Sequence, residues 1–80
     1  MKFEYTQHWI EQKIFRPEIT DDVIEYCILN STKINDRDWK NAYNSISYIP
    51  PSGRKLKVVY REIYKGEGKT IKIITAYWLD

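Results

Sequence analysis

The strongest constraint on this chain lies in its last third. LKVVYREIY (56–64) and TIKIITAYWL (70–79) are two long runs rich in β-branched and aromatic residues, linked through the glycine-bearing KGEG. That pattern predicts a β-hairpin. Along the first run, Leu56, Val58, Tyr60, Glu62 and Tyr64 alternate with Lys55, Lys57, Val59, Arg61 and Ile63, so one face is mainly apolar and the other basic. The second run is apolar on both sides. Ile71, Ile73, Thr75, Tyr77 and Leu79 share one face, and Lys72, Ile74, Ala76 and Trp78 share the other. A strand apolar on both faces belongs in the middle of a sheet. Further strands and a covering layer must come from residues 1–55.

They are readily found. KFEYT (2–6) alternates as a short strand does, and residues 39–49, with Ala42, Ile46 and Tyr48 in step, predict another strand closed by the turn PPSG. Between them the period changes. Residues 7–16 contain neither glycine nor proline, and Ile10 and Ile14 at i, i+4 predict a short helix with a narrow buried stripe. His8 falls off that stripe. Pro17 disfavours helical geometry at Arg16 and closes the segment. In ITDDVIEYCILNS, Thr20 is a suitable N-cap, and Asp21 and Asp22 lie in the first turn, where the helix dipole favours acids. Ile19, Val23, Ile24, Cys27 and Ile28 form its apolar face, and Asn30 and Ser31 end it. STKINDRD (31–38) reads as a polar loop. The predicted order is β-α-α-β-β-β, two helices packed on one antiparallel-rich sheet, an α+β domain spanning residues 1–80.

Composition narrows the chemistry. Twelve aromatic rings among 80 residues offset the small size, because each buries ~150–250 Å², and they argue against disorder. Cys27 is the sole cysteine, so no internal disulfide forms and a reducing cytoplasm suits the chain. Its place on the apolar helix face predicts a buried, inert thiol. MKFEYTQHW does not resemble a secretory signal, and no run is long and apolar enough for a membrane helix. One histidine and one cysteine do not make a structural zinc site, and Asp36 and Asp38 read as solvated turn residues, so no metal or cofactor is expected.

Charge is divided unevenly. Residues 1–50 hold six Lys/Arg against eight Asp/Glu, a net −2, while residues 51–80 hold seven against three, a net +4. A basic C-terminal part suits an anionic partner, such as nucleic acid or an acidic protein segment. Lys57 and Arg61 share one strand face roughly 13 Å apart, a span that phosphates along a nucleic-acid strand can meet. Arg54 and Lys55 add charge at the start of that strand, and Tyr77 or Trp78 on the neighbouring strand is placed to stack on a base.

Taken together, these residues resemble the small BrnT-like proteins of the RelE/ParE toxin superfamily. The resemblance runs from His8 to Tyr77: a short strand, a histidine opening a helix, an arginine before the second helix (ITDDV), the strand LKVV, and a last strand ending IITAY. Two positions depart from it: Gln12 stands where a basic residue is often found, and RPEIT is one residue longer than the commoner link. The resemblance implies a RelE-like fold and the toxin half of a type II toxin–antitoxin pair. It further implies a metal-free endoribonuclease acting on free or ribosome-bound RNA, with a cognate antitoxin protein as partner. His8, Arg16, Arg61 and Tyr77 would then be its catalytic residues, and Lys57 would join the phosphate clamp. A non-catalytic module binding nucleic acid or an acidic partner on the same basic face is the alternative, and poisoning of a protein target such as gyrase is a third reading.

Overall fold

The computed structural model describes residues 2–80. Strand β1 (Lys2–Tyr5) leads into helix α1 (Gln7–Gln12), which tightens into a 3-10 turn at Lys13–Phe15. Helix α2 (Asp21–Leu29) follows, then the two-residue strand β2 (Ile34–Asn35), β3 (Tyr43–Ile49), β4 (Arg54–Lys65) and β5 (Gly68–Trp78). The five strands form one sheet in the order β1-β5-β4-β3-β2. β1 runs parallel to β5, and every other neighbouring pair is antiparallel. The chain is therefore α+β, with two helices on a mixed sheet and β5 interior to it.

The helices cover one face. Trp9, Ile19, Ile24 and Cys27 pack on Ile49, Leu56, Val58, Tyr60, Ile71, Ile73 and Ala76. The side of β4 that holds Leu56, Val58 and Tyr60 is thus the helix side, and Lys55, Lys57, Val59 and Arg61 point the other way. α2 begins as its sequence predicts: the Thr20 hydroxyl accepts a hydrogen bond from Val23 N, and Asp21 and Asp22 occupy the first turn.

The first helix departs from expectation. Its α-helical part ends at Gln12, and the buried residue is Trp9, wholly inaccessible, whereas Ile10 is 41% and Ile14 73% exposed. Thr6 explains this. It bonds Ile73 O through its backbone amide and Ile74 O through its hydroxyl, and it also caps α1 by accepting from Trp9 N. Those bonds clamp the start of the helix against the edge of β5, turning the largest ring into the core. A single fully buried tryptophan outweighs a stripe of two isoleucines, since it covers more apolar area.

Three further corrections concern the strands. The expected strand 39–49 starts only at Tyr43, and residues 36–42 form a loop in which Asn41 adopts a left-handed φ of 58°. The expected polar loop 31–38 contributes β2, adding a strand to the predicted order. The simple alternation of the last strand is broken by a bulge: Val59 pairs with Thr75, but Tyr60 pairs with Ile73. Ile74 is the extra residue, so Ile73 and Ala76 face the helices together, and Tyr77 falls on the side opposite to Ile73.

Candidate nucleic-acid interface

The face of the sheet away from the helices carries the basic residues, and pairing arranges it in cross-strand rows about 6.6 Å apart. One row holds Tyr48 and Lys55, the next Ile46, Lys57 and Tyr77, the next Asn44, Val59 and Thr75, and the last Arg61 and Lys72 with Glu4. The bulge at Ile74 brings Tyr77 onto this face beside Lys57, whose Nζ lies 5.8 Å from the centre of the tyrosine ring. Lys55 Nζ lies 5.4 Å from the Tyr48 ring in the adjoining row. Cations next to partly exposed rings offer both a phosphate contact and a stacking surface.

The third row is roofed. Trp39 packs on Ala42, Val59 and Ile74, a second apolar cluster on this face. Asp36 holds the loop in place. Its carboxylate accepts from Asp38 N at 3.0 Å, Trp39 N at 2.8 Å and Asn44 Nδ2 at 3.0 Å, and lies 3.7 Å from Lys57 Nζ. Burial alone pushes this carboxyl up. The hydrogen bonds from Asn44, Trp39 and Asp38, together with Lys57, outweigh burial and leave it below the usual carboxylate value. Asp36 is thus no solvated turn residue: its side chain is 2% exposed. At the far side of the loop, Arg61 Nη2 donates to Lys40 O at 3.1 Å. Lys57 and Arg61 share a face as predicted, but Trp39 stands on Val59 between them.

The remaining predicted residues divide. His8 is exposed at the start of α1, and its ring centre lies 5.6 Å from that of Trp39, which puts it at the rim of the same surface. Arg16 ends the 3-10 turn and donates to Gln12 Oε1 at 2.6 Å, and among the described residues its side chain makes no hydrogen bond or ion pair to the basic face. Trp78 packs against the helix-side core, and the Arg54 guanidinium lies 4.3 Å from its ring centre and bonds Glu18 and Asp80. Arg54 and Trp78 therefore support the opposite side of the sheet, because both fall in step with Leu56 and Ala76 rather than with Lys57 and Tyr77. Lys57, Tyr77 and Lys55 stay together as candidates, and His8 stands at the rim beside Trp39. Arg61 lies beyond the roof, and Arg16 lies apart. Trp39 and Asp36 are the additions. Their signal in the sequence is NDRDW, where an aspartate three residues before a tryptophan can cap the backbone of the turn.

Cys27 is buried within reach of Ser45 O (3.5 Å) and Leu56 O (3.6 Å), and burial pushes its thiol up to about 11, so it offers no nucleophile. Among the described residues no three His, Cys, Asp or Glu side chains gather as a metal ion would need, and no helix is long and apolar enough to cross a membrane. No family model, curated protein or solved structure matches this chain.

Proposed function

We propose that the chain is a RelE-like, toxin-type endoribonuclease that holds single-stranded RNA on the open face of its sheet and needs no metal. The observation that carries the RNA-binding part is the Lys57–Tyr77 pair, a cation and a partly exposed ring brought side by side by the bulge in β5. Lys55 with Tyr48 repeats the arrangement one row away. Backbone phosphates meet the ammonium groups, and bases stack on the rings. Two helices on one face of a largely antiparallel sheet is the coarse α+β architecture that the resemblance implies, with β2 added to its element order, and the resemblance supplies the cleavage part. Cleavage requires a proton taken from the RNA 2′-OH, a proton given to the leaving 5′-oxygen and a cation for the charge that develops on phosphorus. His8 at the rim moves a proton in this scheme, Lys57 and Lys55 meet the phosphate, and Tyr77 orients a base or serves as the second proton carrier. A cytoplasmic antitoxin protein would cover the same basic face.

A second reading, RNA binding without cleavage, is favoured by the roof. Trp39 separates Lys57 from Arg61, and Arg16 contributes nothing to the face, so the cationic clamp is smaller than the resemblance implies. One experiment separates the readings. A labelled single-stranded RNA is incubated with wild type, His8→Ala and Lys57→Ala, and both bound fraction and chain length are followed, with and without ribosomes. Cleavage abolished by His8→Ala with binding retained supports the enzyme. Binding lost in Lys57→Ala with RNA intact throughout supports the binding module, and no binding by wild type refutes both.

A further inference from the structure

We propose that two copies of this chain join through the outer edge of β3, antiparallel about Ser47, to make one continuous sheet. β2 pairs with β3 only at Tyr43 and Asn44, so among the described residues the edge from Ser45 to Ile49 has no strand partner. Unpaired amides and carbonyls along an edge are a template for another strand, and proteins that stay monomeric usually block them with charge, proline or a bulge. The far edge of this sheet is blocked: β1 carries Lys2 and Glu4 within four residues. β3 reads YNSISYI, with neither charge nor proline, and leaves Ile46 39% and Tyr48 64% exposed.

The register follows from the bonds already made. Asp36 N donates to Ala42 O, in step with the pairs Asn35–Tyr43 and Ile34–Asn44. Outward-pointing backbone groups recur at every second residue of an antiparallel strand, so the next ones without a strand partner belong to Ile46 and Tyr48, and the Tyr48 carbonyl accepts a long 3.4 Å bond from Ser47 Oγ. A twofold axis at Ser47 sets Ile46 of one copy opposite Tyr48 of the other, twice over, each a hydrogen-bonded pair. It also brings an aromatic ring against a β-branched side chain on the open face, a favoured cross-strand combination. The two Ser47 residues meet as a non-hydrogen-bonded pair, with Cα atoms ~4.5 Å apart. The strand is thereby complementary to itself, as an isologous interface requires. The second Tyr48 also lies against Ile46, which with Ile34, Asn44 and Lys57 lines a cavity of about 360 Å³ on the open face.

The interface is small, so the dimer forms in a concentration-dependent way. Sedimentation of wild type up to millimolar concentration is expected to approach twice the 9.7 kDa chain mass. A mass that stays at 9.7 kDa overturns the proposal. Ile46→Lys, checked for an unchanged circular dichroism spectrum, is expected to stay monomeric, and a dimer that survives it places the contact elsewhere. Ser47→Cys removes the long hydroxyl bond to Tyr48 O. Under mild oxidation it should cross-link between copies many-fold faster than Glu67→Cys in the β4–β5 turn, because the Cα separation suits a disulfide. Equal rates for the two variants reject the register.

Discussion

Trp39 stands on Val59, and in doing so it divides the basic face of the sheet into two parts. Lys57 and Tyr77 lie on one side of the divide, Arg61 and Lys72 on the other. The loop that carries Trp39 is tied at both ends to those parts, through Asp36 to Lys57 and through the Lys40 carbonyl to Arg61. This arrangement sets what each substitution should do.

Replacing Trp39 by alanine removes the roof from Val59 and Ile74, which are otherwise 1% and 2% exposed. Because Trp39 is only partly buried, the expected loss is about 3 kcal/mol, the low end for large aromatic truncations. Urea denaturation measures it, and a loss under ~0.5 kcal/mol, the usual scatter of surface changes, would show that the cluster adds no stability.

Lys57→Ala and Tyr77→Ala should weaken RNA binding in different ways. Loss of the lysine should lower the slope of log affinity against log salt by about 0.7, one phosphate contact to a single strand. Loss of the ring should cost ~1–3 kcal/mol of affinity while leaving that slope unchanged. Titrations of a labelled oligonucleotide at several salt concentrations distinguish the two, and identical slopes for wild type and Lys57→Ala would remove the lysine from the interface.

Acid should loosen the loop and the far end of β4 together. Asp36 and Glu62 both sit below their ordinary values of 3.8 and 4.5, although burial opposes the shift in each. For Glu62 the hydrogen bonds from Lys33 and Tyr64, with Lys33 and Lys69 as nearby charges, overcome burial. A depressed folded-state pKa adds stability above the unfolded value, and that stability is lost as pH falls through the folded value. Thermal unfolding should therefore move to lower temperature once pH drops below those ordinary values. Asp36→Asn should flatten the dependence, and an unchanged profile in that variant would exclude Asp36 as its source.

Cys27 should resist thiol reagents while the chain is folded. Burial, which raises its thiol to about 11, also blocks access, so labelling at neutral pH should follow global unfolding. Rapid modification of native protein would contradict a sealed core at this point.

Much of the architecture was legible locally. Thr20, Asp21 and Asp22 mark the start of α2, its apolar period names Ile24 and Cys27 as core, and glycine turns bound the hairpin, with Gly53 and Gly66 at φ 76° and 58°. These features depend on neighbours a few residues away. The alternation of β4 also assigned Leu56, Val58 and Tyr60 to the core and Lys57 and Arg61 to the opposite face, as found.

What periodicity missed depended on partners far along the chain. Ile10 and Ile14 looked like a buried stripe until Thr6 bonded Ile73 and Ile74 and turned Trp9 inward instead. The bulge at Ile74 has no marker in TIKIITAYWL, since every residue there suits a strand, yet it moves Tyr77 to the Lys57 side and leaves Trp78 against the core. Trp39 lay in an expected strand and became the roof. The sequence by itself determined where α2, β4 and β5 lie and which face of β4 is charged, because capping, turn chemistry and alternation act over a few residues. Which charged and aromatic groups of that face lie together was decided only in the folded state, where one extra residue in β5 and one loop held by Asp36 set the register across the sheet.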